Sequence, residues 1–112
     1  MLQTKKSSHI TLIDKAAAID IAQKYIQLIH KKYAVNKSVL FGSYAKGNFN
    51  DDSDIDIAIV LSNPVDIIDA QIEMMKMRRT IDLRIEPHPF LLSDYSSSNP
   101  VANEVIKFGI EL

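Results

Sequence analysis

The 112-residue chain has no cysteine and no tryptophan, only three glycines, and 13 basic against 14 acidic residues for a net charge of −1. Each shortage narrows what it can be. Without cysteine there is no disulfide framework and no thiolate zinc or redox centre. Interleaved, nearly balanced charge provides no broad positive field to grip a phosphate backbone, which argues against long DNA or RNA as the principal ligand. The longest apolar stretches fall far short of the roughly 20 residues of a membrane span, and the polar start from Met1 to His9 lacks the apolar core of a signal peptide. A single cytoplasmic domain over residues 1–112 is the expectation, with 46% hydrophobic residues to build its core.

What is present alternates between two periods. From Thr11 to Tyr33, Ile19, Ala22, Ile26, Ile29 and Tyr33 recur at steps of three and four. This predicts an amphipathic helix opened by a Thr11–Asp14 capping pair. Lys37–Phe41 reads as a short strand ended by Gly42. In residues 53–61, Ile55, Ile57, Ile59 and Leu61 alternate with Asp54, Asp56, Ala58 and Val60. Both faces are apolar beyond Asp56, so this is an interior strand whose N-terminal end alone is polar. Asn63–Pro64 predicts the start of a helix with Ile68, Ile72 and Met75 as its buried stripe. Thr80–Pro87 alternates again, with Ile81, Leu83 and Ile85 inward and Asp82, Arg84 and Glu86 outward, a strand that Pro87 should stop. Asn99–Pro100 opens a last helix through Val101, Val105 and Phe108, closed by Gly109. The order of helix, strand, strand, helix, strand, helix predicts an α/β (α+β) fold, a small mixed sheet flanked by helices.

Chemistry concentrates between Phe41 and Val60, where four carboxylates crowd into Asp51–Asp56 just after Gly42-Ser43. Gly42 and Gly47 satisfy the glycine spacing of a P-loop, but Asn48 and Phe49 stand where Lys and Ser or Thr are required. A calcium loop fails because Ile57 replaces the turn glycine and Asn63 the closing glutamate. His9, His30 and His88 have no ligand spacing to one another, and His88 sits between two prolines, so none reads as catalytic. Asp51 and Asp52 are most simply a solvated turn beside Asn50 and Ser53, and Arg78 and Arg79 a solvated helix end.

Gly42-Ser43 and Asp54-Ile55-Asp56 survive. Residues i and i+2 of a strand project from one face about 6–7 Å apart, within reach of one cation or a pair. At ~6 Å and an effective dielectric of 20 the two charges repel by roughly 3 kcal/mol, and a third carboxylate at Asp82 adds to this. A divalent cation removes that repulsion, and all-oxygen ligands favour magnesium over zinc. Gly42 allows close backbone approach to a phosphate, Ser43 and the amides after it form an anion-attracting helix start, and Lys46 neutralises further charge. These are parts for phosphoryl or nucleotidyl transfer.

The stretch resembles the signature of the nucleotidyltransferase superfamily related to DNA polymerase beta, in its minimal form: Gly-Ser, ten residues, Asp-x-Asp. At average residue frequencies these four positions arise by chance in roughly one chain of this length in a thousand. The resemblance implies a polymerase beta-like core, in which Asp54 and Asp56 hold two Mg2+ ions and Gly42 and Ser43 bind the triphosphate. Lys46 stands where arginine is frequent. Asp82 matches the third carboxylate, for metal binding or activation of the acceptor hydroxyl, although Glu86 lies on the same predicted strand face. The reaction implied is attack of a hydroxyl on the α-phosphate of a nucleoside triphosphate. Minimal members are often antitoxins of small all-helical HEPN proteins, and some attach AMP from ATP to a tyrosine of the toxin. A non-catalytic module that neutralises its partner by contact is the alternative, and self-association is left open.

Overall fold

The computed structural model of the chain describes residues 13–112. Helix α1 (Lys15–Ile29) leads into β1 (Val35–Phe41), the one-turn α2 (Ser43–Lys46) and β2 (Ile55–Leu61). Helix α3 (Ile67–Met77) and a 3-10 turn (Arg78–Thr80) precede β3 (Ile85–Leu91), and α4 (Pro100–Phe108) is followed by the short β4 (Ile110–Glu111). The sheet order is β3-β2-β1-β4, with β2 and β3 parallel and β1 antiparallel to both β2 and β4. A small mixed sheet flanked by helices is therefore what forms.

The sheet is covered on both faces. On one, Leu40, Ile55, Ile57, Ile59 and Ile85 pack against Ala22, Tyr25 and Ile29 of α1, Tyr44 of α2 and Met74 of α3. Each large aliphatic side chain so buried contributes roughly 1.5–3 kcal/mol. On the other, Val39, Phe41, Ala58 and Phe90 meet Ala102 and Val105 of α4. Strand β2 lies between two neighbours, as its two-sided hydrophobicity predicts.

Four expectations are corrected. The side chain of Asp14 itself caps α1, accepting from the Ala17 amide at 2.8 Å, while Thr11 lies outside the described residues. Helix α3 starts at Ile67 rather than after Asn63–Pro64, because Asp66 offers its carboxylate to the Asp69 amide at 3.0 Å. Its stripe is displaced too: Ala70 and Met74 are buried, whereas Ile68 and Ile72 are 72% and 50% exposed. The helix carries two interleaved apolar rows, and the hydrogen bond from buried Tyr25 Oη to the Met74 carbonyl, 2.7 Å, fixes which one faces the core.

The fourth correction concerns Thr80–Pro87. The strand begins only at Ile85 and runs through Pro87 and Pro89, with Leu83 66% exposed in the turn before it. Proline is tolerated because β3 is an edge strand, where residues of one parity turn their main-chain groups away from the sheet. On that side Arg78 Nη1 donates to the Leu83 and Ile85 carbonyls, and Gln71 Nε2 donates to the Pro87 carbonyl at 2.8 Å. The two prolines and the two donors leave the edge with few groups to offer a foreign strand.

Candidate active site

Strand β1 ends at Phe41, and the chain turns through Gly42 at φ +76°, the left-handed region that side-chain-bearing residues rarely adopt. Helix α2 follows at once, its single turn closed by the Lys46 amide on the Gly42 carbonyl, 3.1 Å, and the Gly47 amide on the Ser43 carbonyl, 2.9 Å. Phe49 stacks on buried Tyr44 at 4.5 Å between ring centroids, which ties the following loop to α2. Asp51 and Asp52 occupy an exposed turn held by Asn50 and Ser53, so the solvated-turn reading of these two holds.

Asp54 is exposed immediately before β2, and Asp56 is the second residue of that strand. Pairing puts Asp56 opposite Phe41 on one side and Glu86 on the other. The consequence is a close junction: a Cβ added to Gly42 would fall inside van der Waals contact of Asp56 Oδ2. Oδ1 of the same carboxylate lies 3.1 Å from His88 Nε2, and the His88 ring stands edge-on to Phe41 with centroids 4.9 Å apart. The turn and the Asp-x-Asp segment, separated in sequence, thus meet at one α-carbon.

Asp82 is not beside them in the sheet. It lies in the turn before β3, where it accepts from the Arg84 amide at 2.9 Å and from Arg84 Nη2 at 2.7 Å. The Arg84 hydrogen bonds hold its carboxyl below the usual carboxylate range against the opposing effect of burial. The register aligns Ile55 with Ile85, so the acid facing Asp56 across the ladder is Glu86. Lys46 is also engaged, with Nζ 3.2 Å from Glu104 of α4 and 5.0 Å from the Phe108 ring centroid. Among the described residues, no three His, Asp or Glu side chains converge as a ready-made metal cage.

Sequence reasoning missed His88 because the flanking prolines read as a strand end. The available signal was parity: His88 is two residues beyond Glu86, and on an edge strand both project from the face that carries Asp56.

The fold and this junction define a nucleotidyl-transfer class of protein. The family profile "Polymerase beta, Nucleotidyltransferase" matches residues 23–112, and the chain belongs to that family of enzymes. Two Methanocaldococcus jannaschii proteins, both provisionally named protein adenylyltransferases, are similar in sequence. MJ1379 is 28% identical over 79% of this chain and 86% of its own length. MJ0604 is 42% identical over 34% of this chain, and the match spans only 40% of its length. Among solved structures, a Sulfolobus solfataricus protein described as a nucleotidyltransferase superposes with a TM-score of 0.60 at 18% identity, covering 87% of this chain and 80% of that one. A toxin–antitoxin structure with AMP-PNP gives 0.56 at 23% identity, covering 88% and 72%. A mutant of the toxin–antitoxin pair MntA–HpeT gives 0.55 at 22%, covering 90% and 72%. At these identities the superpositions show a shared fold.

Proposed function

We propose that this nucleotidyltransferase moves AMP from ATP onto a tyrosine hydroxyl of a small all-helical HEPN-type toxin, and so acts as that toxin's cytoplasmic antitoxin. One observation carries the reading: the approach of Gly42 to Asp56 brings the Gly-Ser turn and the Asp-x-Asp segment together, so a triphosphate on the turn would lie against the carboxylates. The names of the M. jannaschii relatives, and the toxin–antitoxin neighbours, one with AMP-PNP, support the donor and the partner.

The donor set suits magnesium. A Mg2+ site uses one or two carboxylates plus substrate phosphates rather than an all-protein cage, and Asp54 with Asp56 supplies the former. Gly42 leaves a cradle that a Cβ would fill. Bound there, two such ions would neutralise the triphosphate and polarise the α-phosphate. Ser43 would donate to phosphate oxygens, and Lys46 would join them by exchanging Glu104 for phosphate. The acceptor oxygen attacks the α-phosphorus, the bond to the bridging oxygen breaks, pyrophosphate leaves, and the hydroxyl proton passes to a carboxylate. Glu86, opposite Asp56, is better placed for that third acidic role than Asp82, which Arg84 holds.

A partner would find apolar surface near the site. Ile106 and Phe108 of α4 are 49% and 53% exposed, and Phe108 lies under Lys46. Intact-mass analysis of the purified toxin after incubation with this protein, ATP and magnesium tests the proposal. The expected result is the added mass of AMP on a tyrosine, absent with Asp54→Asn/Asp56→Asn. Full neutralisation by that double variant with no added mass would leave contact alone as the function.

A further inference from the structure

We infer that His88 is a positioning residue for the metal-binding carboxylate Asp56, an inference that rests on the metal-dependent reading of the site. Asp56 is constrained from two directions. Its Oδ2 packs on the α-carbon of Gly42, and its Oδ1 lies 3.1 Å from His88 Nε2, a hydrogen-bond distance when the imidazole proton is on that nitrogen. His88 is itself fixed. Its flanking residues, Pro87 and Pro89, restrict the backbone, Pro87 is held at its carbonyl by Gln71, and the imidazole stands edge-on against Phe41.

The arrangement settles which carboxylate rotamer the site presents. An aspartate with one face against a glycine would otherwise be free to swing toward solvent, since the pair lies at a partly open end of the sheet: the Asp56 side chain is 24% exposed and that of His88 33%. A donor on Oδ1 holds the carboxylate plane, and the remaining lone pairs would be available to a divalent cation. Groups that hydrogen-bond to a metal-ligating side chain typically change metal affinity by 10–100-fold when removed. His88 on this account touches neither phosphate nor acceptor. It acts through Asp56, and any residue able to present an N–H at the same place would replace it.

The test is Mn2+ titration followed by electron paramagnetic resonance on the full chain with saturating AMP-PNP, so that the phosphate ligands the site needs are present. His88→Ala should weaken Mn2+ binding about 10–100-fold, and His88→Gln, whose amide can donate to Asp56 Oδ1, should recover most of that loss. Circular dichroism and thermal melts establish that each variant is folded. Unchanged affinity in His88→Ala overturns the inference, and so does a folded His88→Gln variant as weak as His88→Ala. Asp56→Asn separates this from the broader reading: if it binds Mn2+ as well as the wild type does, or the wild type binds none, the metal site itself is wrong and the inference falls with it.

Discussion

Gly42 and Asp56 are in contact across the end of the β1–β2 pair, so closely that no side chain fits between them. Gly42→Ala would add both this clash and the strain of φ +76°. With ψ at −153° this backbone lies in a region essentially confined to glycine, which costs an alanine about 1–3 kcal/mol, and the clash displaces Asp56. We expect a loss of at least about 2 kcal/mol in urea unfolding, together with loss of the magnesium-dependent thermal shift given by ATP. An alanine variant with wild-type stability and binding would contradict this account of the junction.

Gly109 provides the matched control. Its φ is an ordinary −75°, yet an added Cβ would collide with Val39 Cγ1 and the Val105 carbonyl oxygen where α4 hands over to β4. Gly109→Ala should therefore destabilise by about 1–3 kcal/mol through overpacking while leaving nucleotide binding near the wild-type value. Urea unfolding and ATP titration at a temperature where the variant is folded would check both halves.

In the proposed reading Glu86 takes the third acidic role and Asp82 a structural one. Glu86→Gln should lower turnover by about 100–10,000-fold with little change in stability, as expected for removal of a proton acceptor. Asp82→Asn should cost about 1–3 kcal/mol by breaking the charged hydrogen bonds with Arg84, while a folded sample retains most of its turnover. The reverse pattern would return the third acid to Asp82.

The same Asp82–Arg84 pair predicts a pH dependence. Because the folded-state pKa of Asp82 is depressed, its contribution to stability is present above the unfolded value of about 3.9 and is lost as pH falls through the folded value. Asp82→Asn should remove that part of the slope, making stability less pH-dependent below about pH 4. Urea midpoints measured across the acid range for both proteins would show parallel curves if the pair contributed nothing.

The interior strand was legible because β2 needs apolar residues on both faces, and Asp56, with Asp54 just ahead of the strand, stood out against them. Local capping was partly legible: Asn99–Pro100 opens α4 as expected, with Asn99 accepting from the Val101 and Ala102 amides. The start of α3 was not, because Asn63–Pro64 and Asp66 are both credible caps and tertiary packing decides between them. The alternation from Ile81 to Glu86 was equally misleading, since an ion pair two residues apart, Asp82 to Arg84, stabilises a turn there instead. Pairing register, which brings Glu86 and His88 to Asp56, depends on contacts between distant segments that no local pattern specifies.

The central claim is that Asp54 and Asp56 support transfer of the α-phosphate with its nucleoside to a protein. It is tested most directly by incubating the purified chain and magnesium with native-host lysate and ATP labelled either at the α- or at the γ-phosphate. The account predicts a small protein labelled from α but not from γ, and no labelling of it by the Asp54→Asn/Asp56→Asn variant. Label arriving from the γ-phosphate, or equal α-labelling by the double variant, would contradict it.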